Sequence, residues 1–173
     1  SGDSIEYRFG TAEETGLPDS CADLVVCAQA FHWFRSKESL SEFSRILKNG
    51  GYCALLWNER DHKQEATRAY GDVVVKYSTD PAVELKRGAS GKDLILSELF
   101  KMLGVFEFTN SQTLDLDQLL GRAFSTSYMP HEGEELEKAQ AEIGQVFEQY
   151  AKDGLMTLSY VTTLYLAQKT DTN

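Results

Sequence analysis

Cysteine is scarce in this chain of 173 residues, which holds three: Cys21, Cys27 and Cys53. A small, odd number excludes the disulfide framework that staples small secreted domains. No C-x-x-C pair and no Cys/His spacing points to zinc, so no metal is expected. Cys27 and Cys53 lie in apolar runs and read as buried small hydrophobes, reduced as in a cytoplasmic setting. Proline and histidine are equally rare, at three residues each. Long apolar runs are missing: none approaches the roughly 20 residues that span a bilayer, and the first residues do not read as a targeting leader. Basic residues are also few, with 17 Lys and Arg against 27 Asp and Glu, a net charge of -10. That balance argues against nucleic acid or an anionic membrane as the main partner, since both need a basic footprint. The acidic excess gathers at Glu132-Gly133-Glu134-Glu135-Leu136-Glu137 and near Asp115 and Asp117, and reads as solvated helix surface.

What is present suffices for one α/β domain: 42% hydrophobic residues and a length typical of a single core. The most informative stretch runs from Ala22 to Phe34. A continuously apolar strand, Leu24 to Cys27, stops at Gln29, His32, Trp33 and two phenylalanines. A second apolar strand, Tyr52 to Leu56, stops the same way at Trp57-Asn58. Between them Leu40, Phe43, Ile46 and Leu47 mark one face of a helix, Lys37 to Lys48, with Ser36 as its cap and Asn49-Gly50-Gly51 as its stop. Strand, helix and strand at this spacing form a right-handed parallel βαβ unit. Open α/β sheets bind ligands beyond the carboxyl ends of their strands, so these two ends mark a candidate site.

The rest of the chain alternates in the same manner. Ile5 to Phe9 reads as a short strand, followed by the loop Gly10 to Glu14. Ala66 to Tyr77 repeats at helical spacing, and Leu94, Ile95, Leu99 and Leu103 predict a further helix. Val105 to Thr113 reads as a strand. Asp115 and Gln118 form a capping box for a helix through Ala123. A long amphipathic helix covers Leu136 to Tyr150, and Met156 to Ala167 is a terminal strand rich in Thr, Tyr and Val.

This order of parts resembles the second half of a class I S-adenosylmethionine-dependent methyltransferase, of the trans-aconitate methyltransferase-like subgroup. The likeness rests on Gly10-Thr11-Ala12-Glu13, Leu17-Pro18, Ala22 to Val26, Gln29-Ala30-Phe31-His32-Trp33-Phe34, Leu47 to Gly51 and Trp57-Asn58. Leu119-Leu120 to Ser127-Tyr128 and Gly154 to Leu166 extend it over nearly the whole chain. The resemblance implies a partial Rossmann-like sheet, strands 3 to 7 of seven, in the family order 3-2-1-4-5-7-6. The last strand is antiparallel, helices cover both faces, and residues 59–104 form a helical roof over the substrate pocket. Ile5–Phe9 stands as strand 3, Leu24–Cys27 as strand 4, Tyr52–Leu56 as strand 5, Val105–Thr113 as strand 6 and Met156–Ala167 as strand 7. The family's Gly-rich loop after strand 1 and the acidic residue ending strand 2 have no counterpart here. The expectation is therefore a single methyltransferase-type domain, residues 1–173, truncated at its N-terminus. Without strands 1 and 2, strand 4 presents an open apolar edge. That predicts pairing with a second copy or an abnormal placement of strand 3.

The implied cofactor is S-adenosyl-L-methionine, held by Thr11, Ala12, Glu13, Ala28, Gln29, Ala30, His32 and Trp33. Thr11 to Glu13 would lie beside the adenine, or form a plain strand-exit loop. Ala28 to Ala30 would pass under the methionine part, or end a strand without a ligand. His32 invites a general-base role or serves packing and hydrogen bonding; no other catalytic residue is assigned. The implied acceptor is a small molecule, a carboxylic acid on the subgroup likeness, bound by Trp33, Trp57, Asn58, Arg60, Arg122 and Tyr128, with Ser125 and Ser127 in the same polar cluster and Tyr160 facing that cavity or the core. Trp33 as core filling and Arg60 as a solvated loop cation stay open as alternatives. The competing function is a non-catalytic α/β interaction module or inactive fragment lacking the Gly-rich loop.

Overall fold

The computed structural model describes residues 5–80 and 91–170. Its elements run β1 (Ala22–Ala28), a 3-10 turn (Phe31–Trp33), α1 (Ser36–Ile46), β2 (Leu47–Arg60), α2 (Glu65–Tyr77), helical residues 91–95 (α3), β3 (Phe100–Leu114), α4 (Leu116–Phe124), α5 (Gly133–Tyr150) and β4 (Met156–Lys169). The four strands form one sheet in the order β1-β2-β4-β3. β1 and β2 are parallel, with Leu24 opposite Tyr52 and Ala28 opposite Leu56. β4 runs against both neighbours, because its numbers fall as theirs rise. Gln168 bonds Gly50 and Ser159 bonds Asp61 on the β2 side; Thr170 bonds Leu99 and Thr157 bonds Thr113 on the β3 side. This is the expected order 4-5-7-6 with an antiparallel last strand.

Four local expectations are corrected. Ile5–Phe9 is not a strand: Ile5, Tyr7 and Phe9 are exposed, and no ladder forms. An isolated strand leaves its backbone groups to water and has no ladder to hold it. Ser36 does not cap α1. Arg35 occupies that position, and its N–H is taken by the Glu13 carboxylate at 2.9 Å. The helix also ends early, at Ile46, and β2 starts at Leu47 with a register irregularity before Tyr52. Gly51 allows the crowding there: a Cβ would lie 3.0 Å from Lys48 O and 3.2 Å from Asp23 O. Finally, helix α3 stops by 95, and Leu103 belongs to β3. The spacing of four between Leu99 and Leu103 suits one helix face, but it is also a multiple of the strand period.

Two compact units divide the chain: described residues 5–57, 91–106 and 164–170 form one, and 58–80 with 107–163 form the other. The first is built on Cys27, Phe31, Leu40, Phe43, Leu55 and Trp57. The second is built on Tyr70, Val74, Leu119, Ile143, Leu158 and Tyr160. In the second, α2 and α5 are tied by Tyr77 Oη, which donates to Glu142 Oε1 at 2.8 Å. Among the described residues, no helix is long and apolar enough to cross a membrane.

Candidate functional site

The end of β1 turns on a strained residue. Gln29 has φ +56°, the left-handed region, which costs a non-glycine residue about 1 kcal/mol. Its N–H still donates to Leu56 O at 2.9 Å, so β1 stays paired to β2 one residue past its end. The chain then closes one 3-10 turn, with Trp33 N on Ala30 O at 2.9 Å and Phe34 N on Phe31 O at 3.1 Å. Phe31 anchors that turn: it is buried, edge-on to Phe34 at 6.1 Å and tilted to Phe43 at 6.2 Å.

With Phe31 fixed inward, His32 reaches β2, which does not stop at Trp57-Asn58 as expected but runs on to Arg60. Trp57 Nε1 donates to His32 Nδ1 at 3.4 Å, a long bond that nonetheless joins the turn after β1 to β2. The indole N–H is donor only, so Nδ1 is the acceptor and the neutral ring carries its proton on Nε2. Trp57 is 2% exposed and stands edge-on to Tyr165 at 5.7 Å. Trp33 is 56% exposed, with its ring 4.7 Å from that of His32. Gln29, His32 and Trp57 are thus brought to one lip, with Ala28 and Ala30 flanking Gln29 and Trp33 presenting an open aromatic face.

The loop before β1 joins the same unit. Thr11 and Glu14 exchange backbone bonds at 3.2 and 3.3 Å, and Thr11 Oγ1 accepts a further bond from Glu14 N at 3.0 Å. Ala12 packs against the core. The bond from Arg35 N–H holds the Glu13 carboxyl below the usual carboxylate range. Glu13 is therefore an ordered tie between the loop and the start of α1. The sequence supplied no motif for that role, because the partner is a backbone amide 22 residues away.

The remaining candidates belong to the second unit. Asn58 Oδ1 accepts from Asn110 Nδ2 and Thr162 Oγ1, both at 3.0 Å. The Arg60 guanidinium lies 5.5 Å from the Tyr70 ring centre, and that of Arg122 lies 5.0 Å from the Tyr160 ring centre. Burial pushes the Tyr70 phenol up to about 12, and Arg60 and Arg122 both pull it back. Burial also raises Tyr160, opposed by Arg122 and Arg60. The two arginines thus act on the same pair of phenols. Tyr128 is buried, and its carbonyl accepts from Thr79 N at 2.8 Å and Thr79 Oγ1 at 3.1 Å. Ser125 and Ser127 are exposed, and Ser125 Oγ finishes α4 by donating to Arg122 O. A polar hollow of about 330 Å³ is lined by Asp61, Gln64, Asn110, Ser159 and Tyr160, among others. Tyr70 was read from the sequence only as a helical core position. A hydroxyl at a core position, in place of Leu or Val, was the signal that could have found it.

The chain resembles known proteins in three ways. Residues 1–55 match the model of a methyltransferase domain. An uncharacterized methyltransferase of Schizosaccharomyces pombe is 31% identical over 84% of this chain and 57% of its own length. A second, methyltransferase-like protein of that yeast is 33% identical over 83% and 56%. The chain therefore spans a little over half the length of these relatives. Among solved structures, one assigned as a type II methyltransferase from Anaeromyxobacter dehalogenans shares the fold, with TM-score 0.59 and 19% identity over 95% of this chain and 71% of that one. The match over residues 1–55 and both yeast relatives liken the chain to methyltransferases, and its sheet order is the 4-5-7-6 expected from that resemblance.

Proposed function

We propose that this chain takes part in S-adenosylmethionine-dependent methyl transfer to a small acidic molecule, as in the trans-aconitate methyltransferase-like subgroup. The observation that carries the reading is the lip at Gln29, His32 and Trp57, where the turn after β1 meets the parallel strand β2.

The residues of this lip fit the donor. Ala28 and Ala30 leave room for close approach beside Gln29, and the exposed Trp33 face suits a cation by cation–π attraction. The Thr11–Glu13 turn offers backbone groups to an adenine edge, tied down by the Glu13–Arg35 bond. When bound, the sulfonium supplies a methyl group already activated by its positive charge. The protein's part is then to orient and to exclude water. His32, with Nδ1 held by Trp57, serves that part as a positioning group whose Nε2 carries the proton. A carboxylate acceptor is a nucleophile without a base, so the lack of a catalytic triad is in keeping with the reaction. For the acceptor, Arg60 and Arg122 supply positive charge, and Asn58 and Tyr128, in the same unit, supply polar and aromatic surface.

Calorimetric titration with S-adenosylhomocysteine tests the reading. Binding in the micromolar range, weakened about tenfold in His32→Ala, is expected; no heat at millimolar ligand would overturn it. One observation favours a second reading, an interaction module that pairs with a copy of itself. β1 is the terminal strand of the sheet, and Leu24 and Val26 on it are 51% and 56% exposed. Light scattering coupled to size exclusion separates the readings at this point. A dimer lost in Val26→Lys supports edge pairing, and a monomer excludes it.

A further inference from the structure

The guanidinium of Arg122 is half-buried and meets no carboxylate among the described residues. The partial desolvation of a half-buried cation is compensated when a counter-charge or aromatic face is near. The Tyr160 ring supplies the face, 5.0 Å away. The second observation concerns the ring's other end. Tyr160 is 1% exposed, and among the described residues no acceptor takes the proton of its Oη; the neighbouring Arg122 guanidinium can only donate to it. Buried phenols ordinarily find an acceptor. Tyr160 also lines the polar hollow, whose one carboxylate, Asp61, is engaged through Oδ1 by Lys63 N at 3.1 Å. A phenol O–H without an acceptor thus stands beside a guanidinium that meets no carboxylate among the described residues.

We propose that Tyr160 is a specificity-determining residue of the acceptor site. Its phenol O–H donates to one carboxylate oxygen of an organic acid, and Arg122 neutralises the charge. Arg60, stacked near Tyr70, adds a second positive charge to the same cluster. The inference rests on the acidic acceptor proposed above and extends it to a residue and a discrimination. A carboxylate is accepted by both partners. A methyl ester of the same acid offers no charge to Arg122 and a weaker acceptor to Tyr160.

The test needs no methyl donor, so its failure is distinct from failure of the methyl-transfer reading. Citrate, its neutral trimethyl ester and inorganic phosphate are titrated into the protein labelled with 3-fluorotyrosine, and 19F resonances report binding. Citrate is expected to bind and to shift the resonance that disappears in Tyr160→Phe. Affinity should fall about tenfold in Tyr160→Phe and at least tenfold in Arg122→Gln, and the ester should not bind. Tyr160→Phe removes one oxygen and keeps the ring, so it remains a readout if Arg122→Gln fails to fold. The proposal is overturned if citrate does not bind, if it binds Tyr160→Phe as tightly as the parent, if the ester competes equally, or if phosphate binds more tightly than citrate.

Discussion

Glu42 on α1 has both carboxylate oxygens occupied. Arg45 Nε donates to Oε2 at 2.7 Å and Nη2 to Oε1 at 2.8 Å, while Thr15 donates to Oε1 through N at 2.8 Å and Oγ1 at 2.6 Å. Arg45 also pairs with Asp19 and donates to Leu17 O, so one carboxylate and one guanidinium fasten the 15–19 loop to the helix. The Arg45 hydrogen bonds lower the Glu42 carboxyl to about 2 against the ordinary value of about 4.3. A depressed carboxyl stabilises the fold above the unfolded value and loses that contribution as pH falls through the folded one. Thermal unfolding of the parent should therefore lose stability between about pH 4 and pH 2, whereas Glu42→Gln should be less stable at pH 7 and flatter across that window. A parallel pH profile for the two proteins would contradict the assignment. Trp57 makes a prediction of the opposite kind, because it is both core and rim. Trp57→Ala should cost about 3–5 kcal/mol by chemical denaturation, as for other buried aromatics. His32→Ala should leave that denaturation midpoint nearly in place while weakening ligand binding. Little of this was legible beforehand. The residue types at the strand ends were visible in the sequence, but Glu13 bonding to a backbone N–H and Trp57 turning inward depend on distant packing.

At the scale of elements, local chemistry decided much of the outcome. The Asp115/Gln118 capping box forms as its spacing requires, with Gln118 N on Asp115 Oδ1 at 2.8 Å and Asp115 N on Gln118 Oε1 at 3.1 Å. Asp115→Ala should destabilise the protein by about 1 kcal/mol. Gly121 in the same helix has open space where a Cβ would stand and a helical φ. Gly121→Ala should therefore stabilise by about 0.5–1 kcal/mol. Differential scanning calorimetry of the two variants should show Tm shifts of opposite sign, and shifts of the same sign would contradict the helix geometry. Elements whose signals were purely periodic were less legible. The 94–103 segment satisfied helix and strand spacing alike; its first two residues stay helical, and pairing near Thr170 and Leu99 settled the rest as the entry to a strand. Ile5–Phe9 has a strand's alternation and no neighbour to express it. Alternation specifies a face; only a ladder makes a strand.

For the whole molecule, the residues alone made the parallel βαβ unit legible, and the order of the remaining strands was legible only through the family resemblance. What the sequence did not disclose was the division into two compact units and the separate placement of the candidate residues. Gln29, His32, Trp33 and Trp57 fall in the first unit, and Asn58, Arg60, Arg122 and Tyr128 fall in the second. The break comes between Trp57 and Asn58, neighbours that read as one motif. Each unit has its own chemistry: an aromatic lip with a strained strand end, and an arginine–tyrosine cluster. The chain has two tryptophans, Trp33 and Trp57, and both stand at the lip beside His32. The most direct test follows their two indole N–H resonances by 15N-edited NMR during titration with S-adenosylhomocysteine. Both should shift with one common, micromolar dissociation constant. Saturable binding that leaves both resonances where they were, or no binding at all, would contradict a donor site at this lip.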